Sequence, residues 1–134
     1  MPLSFSMLFA FSKRRILMDS REFNSMLLSR FPNIKESFEK ATSWQDGIDT
    51  GSTVVLEDVF MPYLLACFEK KITNELDDIF VFIEECVLSS DKYCRDVIEV
   101  SVIENIYSYD VRDELSAMLL PKSKESYLSI SKSV

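Results

Sequence analysis

The sequence predicts an all-α fold: a single-domain helical bundle or short antiparallel helical array of about five to seven helices. Three observations lead there. The chain of 134 residues contains only 2 Gly and 4 Pro, too few punctuators for the many turns of a sheet protein. Apolar residues recur at three-four spacing through most of its length, the period of one helix face. Hydrophobic residues make up 47% and charged residues 28%, which gives one core without staples.

The elements follow in order. Residues 1–17 read as an N-terminal extension, either disordered or a start-site artefact, and residues 18–134 as the helical domain. In the extension an apolar run precedes Lys13, Arg14 and Arg15. A secretory signal has the opposite order, and the run is too short to span a bilayer. Met18 stands directly before a helix start and is a candidate native start. Helix one spans about Asp19 to Phe31, with Asp19 and Glu22 spaced as a capping box and Phe23, Met26, Leu27, Arg30 and Phe31 on its buried face. Pro32 ends it. A short second helix runs from about Asn33 to Ala41 and buries Ile34 and Phe38.

Residues 42–54 form the longest irregular stretch and hold both glycines and the sole tryptophan, Trp44. Two readings apply: a displayed functional loop, or a connector with Trp44 folded onto the core. Helix three covers about Leu56 to Lys70, and Pro62 inside it either kinks it or marks its true start. Helix four starts near Thr73 or Asn74, which are suitable caps, and ends at Ser89. Helix five, about Asp91 to Tyr107, is apolar nearly all round and is expected to be central. Asp110 is expected to cap helix six. Pro121 then breaks the chain before one more short helix whose end frays.

The chemistry available is sparse. There is no histidine, so Ser–His and Cys–His nucleophile systems are excluded and the commonest metal ligand is missing. Two glycines cannot build a phosphate loop. Cys67, Cys86 and Cys94 lie in apolar helical stretches, where a thiol is a small hydrophobe with a raised pKa. Their odd number and spacing argue against a disulfide framework and for a reducing compartment, the cytoplasm. No enzyme, cofactor or metal site is expected.

Charge is more informative. The net charge is −7, which repels phosphate backbones and favours a basic partner. Residues 75–114 carry twelve acidic and three basic residues, whereas residues 1–40 carry seven basic and four acidic. A negative helical face is therefore expected, with Asp77, Asp78, Glu84, Glu85, Asp91 and Glu99 as charged contacts. Tyr93 and Trp44 are the candidate aromatic anchors, since aromatics dominate interface energetics.

Four segments carry a family resemblance. Phe31-Pro32-Asn33-Ile34-Lys35-Glu36, Val59-Phe60-Met61-Pro62-Tyr63-Leu64, the run from Asp96 to Ile106, and Leu120-Pro121-Lys122-Ser123-Lys124 resemble, in order, the motifs of a family of small helical bacterial proteins. That family is similar to immunity proteins of polymorphic toxin and contact-dependent growth inhibition systems. Many members carry a histidine before the middle motif, which is absent here. The resemblance implies a cytoplasmic antidote, part of a toxin–antitoxin-like pair, that binds a cognate protein toxin. A basic nuclease domain, occluded by the acidic face, is the expected target. Direct nucleic-acid contact and stable membrane insertion are not expected, and oligomeric state is left open. The alternative is a small helical ligand-binding regulator or enzyme, with Tyr63, Asp46, Asp49 and Cys67 around a cavity.

Overall fold

The computed structural model describes residues 17–133 and among them shows seven helices and no strand. The readings made for residues 1–16 lie outside the described residues. Helix α1, Ser20–Arg30, opens with the expected reciprocal cap. The Asp19 carboxylate accepts from the Glu22 amide at 2.9 Å, and the Glu22 carboxylate accepts from the Asp19 amide at 3.1 Å. Pro32 ends α1 and starts a 3-10 turn, Pro32–Ile34, that leads into α2, Lys35–Thr42.

The irregular stretch is shorter than expected. A 3-10 turn at Gly47–Asp49 lies within it, and α3 already begins at Ser52. Helix α3 covers residues 52–69 and runs straight through Pro62. It does so because a π turn, Leu56–Phe60, precedes the proline. The Met61 amide donates to the carbonyl of Leu56, five residues back, and Pro62, which has no N–H to donate, enters the first turn of the segment Met61–Glu69. With no glycine at its end, α3 stops on Lys71, a non-glycine residue with φ of 58°. The Ile72 amide then closes the turn on the Cys67 carbonyl at 3.0 Å.

Helix α4 is Thr73–Val87, and Ile72, not Thr73 or Asn74, is its boundary residue, without a side-chain cap. Helix α5 covers residues 92–108 with a second π turn at Glu99–Ile103. The two π turns pack on each other. As expected, α5 is central: α3, α4, α6 and α7 all touch it, although Val100 remains half exposed. Helix α6, Arg112–Ala117, has Val111 as its boundary residue, so Asp110 does not cap it. The expected last helix after Pro121 forms and is long: α7, Pro121–Ser133, is laid across α4 and α5.

The core has an aromatic centre. Phe31 stands edge-on to Phe82 at 5.3 Å and is tilted against Phe60 at 5.6 Å, and Phe60 meets Phe82 at 5.9 Å. Such pairs add about 0.5–1.5 kcal/mol each beyond the area they bury. Cys67, Cys86 and Cys94 are all buried and unbridged. Burial pushes the Cys67 thiol up, and burial next to Cys94 pushes Cys86 well up. No described helix is long and apolar enough to cross a membrane.

Candidate partner-binding surface

The acidic residues of α4 and α5 do not form one free face. Arg30, near the end of α1, reaches over to α4. Its Nη2 lies 2.9 Å from Asp78 and its Nη1 2.7 Å from Glu85. The guanidinium also lies over the rings of Phe31 and Phe82, 5.9 and 5.6 Å from their centroids. Desolvation opposes its charge, but both carboxylates outweigh that and raise its pKa. Asp78 and Glu85 are thus bound to one half-buried cation.

Glu84 is used differently. Its carboxylate accepts from the amides of Ser123 and Lys122, at 2.8 and 2.9 Å, and from the Ser123 hydroxyl at 2.8 Å. These are the free amides of the first turn of α7, so α4 supplies the cap that α7 lacks in its own sequence. Partial burial raises the Glu84 pKa, but those donors win and hold it below the usual carboxylate range. Glu99 accepts from Ser126 at 3.3 Å on the same helix.

Asp91 is buried, at 6% exposure. It caps α5 through the Cys94 amide at 3.0 Å and accepts from the Met18 amide at 2.8 Å. It is therefore a structural residue and not a surface contact. Tyr93 is also tied inward, its ring edge-on to Phe23 and its hydroxyl 2.9 Å from that of Ser20. Of the six expected acidic contacts, Asp77 alone is exposed and has no partner among the described residues. Among the described residues 75–114, the other exposed acids without an ion pair or side-chain hydrogen bond are Glu104, Asp110, Asp113 and Glu114, further along α5 and into α6. Glu57 lies near the same end. Burial raises the Tyr109 phenol, and the charge of Glu57 raises it further.

Trp44 is 78% exposed, so it is displayed and not folded onto the core. The loop that carries it is fixed from below. The Asn24 amide nitrogen donates to the carbonyls of Ile48 and Thr50 at 2.9 and 2.7 Å, and its oxygen accepts from the Ser52 hydroxyl at 3.0 Å. Gly47, with φ of 58°, supplies the left-handed turn that this path requires. On the surface, Arg21 adds a two-pronged contact to Asp49 at 3.0 and 3.1 Å.

The four residues expected around a cavity do not meet. Asp46 is solvated, Asp49 is paired with Arg21, and Cys67 is buried in the core. Tyr63 does line a groove of about 250 Å³, together with Asn33, Ile34, Ser37, Asp58, Val59, Pro62 and Ala66. That volume is below the range of about 300–1,000 Å³ typical of small-molecule sites. Sequence reasoning missed the groove, although Pro62 inside an apolar helix was its signal. Among the described residues, no three His, Cys, Asp or Glu are grouped so as to hold a metal ion.

Comparison with known proteins adds one family. Neither a curated protein nor a solved structure matches the chain. Residues 24–133, most of the sequence and every helix except the first turn of α1, match the model described as a domain of unknown function (DUF7674). By that match the chain belongs to the DUF7674 family.

Proposed function

We propose that this chain is an immunity-type antidote, a cytoplasmic protein that binds a cognate toxin domain with a basic cleft and keeps nucleic acid out of it. One observation carries the reading. Trp44 offers a large indole to solvent from a loop that Asn24 holds in place. An exposed tryptophan contributes little to a monomer's core, but aromatic anchors on preorganised segments contribute most to interfaces. The net charge of −7 and the unpaired carboxylates Asp77, Glu104, Asp110, Asp113 and Glu114 support a basic partner, which such a field attracts and orients. The resemblance of the four sequence segments to immunity-type proteins points the same way.

The gene next to the one encoding this chain provides the test. Its product is expressed in bacterial cells with and without this chain. The expected result is arrested growth from the neighbour alone, rescue by co-expression, and a complex of the two that elutes as one species. Trp44→Ala should weaken both rescue and complex. A neighbour that is not toxic, or a toxic neighbour whose growth arrest this chain leaves unchanged, overturns the reading.

A further inference from the structure

The groove beside the Pro32–Ile34 turn fits a specific ligand, and we propose that it receives an arginine side chain of the basic partner, an inference that rests on the partner-binding reading above. Its floor is apolar and buried, made by Ile34 and Val59. Its rim is polar and open: Asn33, Ser37 and Asp58 are exposed, and Tyr63 is half buried. The rim presents acceptors. The Asp58 carboxylate has no cation within ion-pair distance among the described residues. The Asn33 amide nitrogen donates to Glu75 at 3.3 Å, which leaves its carbonyl oxygen as an acceptor. The Tyr63 hydroxyl also donates to Glu75. Glu75, outside the lining itself, thereby fixes two of the lining side chains.

A carboxylate, an amide oxygen and a hydroxyl around an apolar floor select a cation with an aliphatic stem. The volume of about 250 Å³ accepts one side chain and not a nucleotide-sized cofactor. A guanidinium fits better than an ammonium, because its planar fork serves several acceptors at once and stacks on an aromatic ring such as Tyr63. The local backbone agrees with a site. Asp58 and Val59 belong to the π turn Leu56–Phe60, a feature found often at functional positions. Pro62, also in the lining, opens the helical segment that follows this turn.

The first arm titrates acetyl-arginine amide into the isotope-labelled chain and follows backbone amide shifts. Saturable shifts are expected at Asn33, Ser37, Val59 and Ala66. Acetyl-citrulline amide, which has the same shape without the charge, should bind at least about tenfold more weakly, equivalent to 1.4 kcal/mol. Asp58→Asn should cost about the same factor, whereas Asp77→Asn should cost nothing. Ala66→Leu, which fills the groove without altering charge, should abolish the shifts in a chain whose circular dichroism is unchanged. Equal binding of citrulline, or binding unaffected by Asp58→Asn, overturns the proposal. The second arm repeats growth rescue with the neighbouring gene product. Full rescue by both Asp58→Asn and Ala66→Leu rejects the groove as a partner contact while the antidote reading stands. Failure of the unmodified chain to rescue rejects that reading, and with it the assignment of the arginine to a toxin.

Discussion

Replacing Arg30 with Met tests whether the acidic side of α4 serves the fold. The substitution keeps an apolar stem on Phe31 and Phe82 but deletes the charge that joins Asp78 and Glu85. The Arg30 side chain is only 13% exposed, whereas Asp78 and Glu85 are 46% and 28% exposed. Breaking a fully buried pair costs about 3–5 kcal/mol and a surface pair about 0–1. With solvent still reaching both carboxylates, each pair here is worth about 1 kcal/mol. Loss of the guanidinium from two ring faces adds about 0.5–1 kcal/mol, part of which the methionine sulfur restores. The expected loss is therefore about 2–3 kcal/mol, or a fall of about 6–9 °C in melting temperature for a chain of this size. Urea and thermal unfolding followed by circular dichroism measure it. In a background of Asp78→Asn with Glu85→Gln, the same substitution should cost less than about 1 kcal/mol. An equal cost in both backgrounds would refute the ionic explanation and leave packing alone as the role of Arg30.

Glu84→Gln should loosen α7, with about 1 kcal/mol lost and earlier proteolytic cutting near Lys122 or Lys124. The folded state holds the Glu84 pKa below its unfolded value. Its contribution is then complete above the ordinary glutamate range and disappears as pH falls through the lowered value. Urea titrations should therefore show the parent losing part of its advantage over Glu84→Gln in acid, and a constant gap would contradict the cap. Asn24→Ala strips two carbonyls and a serine hydroxyl of their partners and should cost about 3 kcal/mol. It should also lower the fluorescence anisotropy of Trp44, unless something other than Asn24 fixes the loop. Trp44→Ala should change folding stability by less than about 0.5 kcal/mol, and a larger loss by urea unfolding would place the indole in the fold.

Much of the architecture was legible because local signals agreed with one another. Asp19 and Glu22 stand at the spacing of a capping box and form one. Pro32 ends α1, and the apolar girth of α5 places it centrally. The misreadings have physical causes. A proline normally breaks a helix, but the π turn at Leu56–Phe60 shifts the hydrogen-bond register so that Pro62 falls where no donor is needed. Asp110 and Thr73 look like caps in sequence, yet a cap depends on backbone angles that no composition reveals. Lys71 takes a left-handed conformation usually reserved for glycine. The acidic surface misled most. A carboxylate at helical spacing reads the same whether water, Arg30 or the amides of α7 lie in front of it. Those partners come from 48, 55 and 39 residues away in sequence, beyond any local pattern.

Engagement of these carboxylates separates two roles that the sequence alone merges. Glu84 and Asp91 are bound by neutral amides and hydroxyls, which satisfy their oxygens without removing their charge. They still contribute to the field that attracts a basic protein from a distance, because that field sums charges whether or not they are exposed. Asp78 and Glu85 share one Arg30 and together contribute a single net charge. Each of the four already holds bonds that support α4, α5 or α7. Neutralising a solvated acid such as Asp113 should therefore slow association and weaken its salt dependence with little effect on stability. Neutralising Glu84 should do both, since it removes a charge and a helix cap together. Association rates measured across ionic strength, beside unfolding curves for the same variants, separate the two. Asp113→Asn and Glu84→Gln with equal effects on both quantities would show that steering and scaffolding are not divided between these residues.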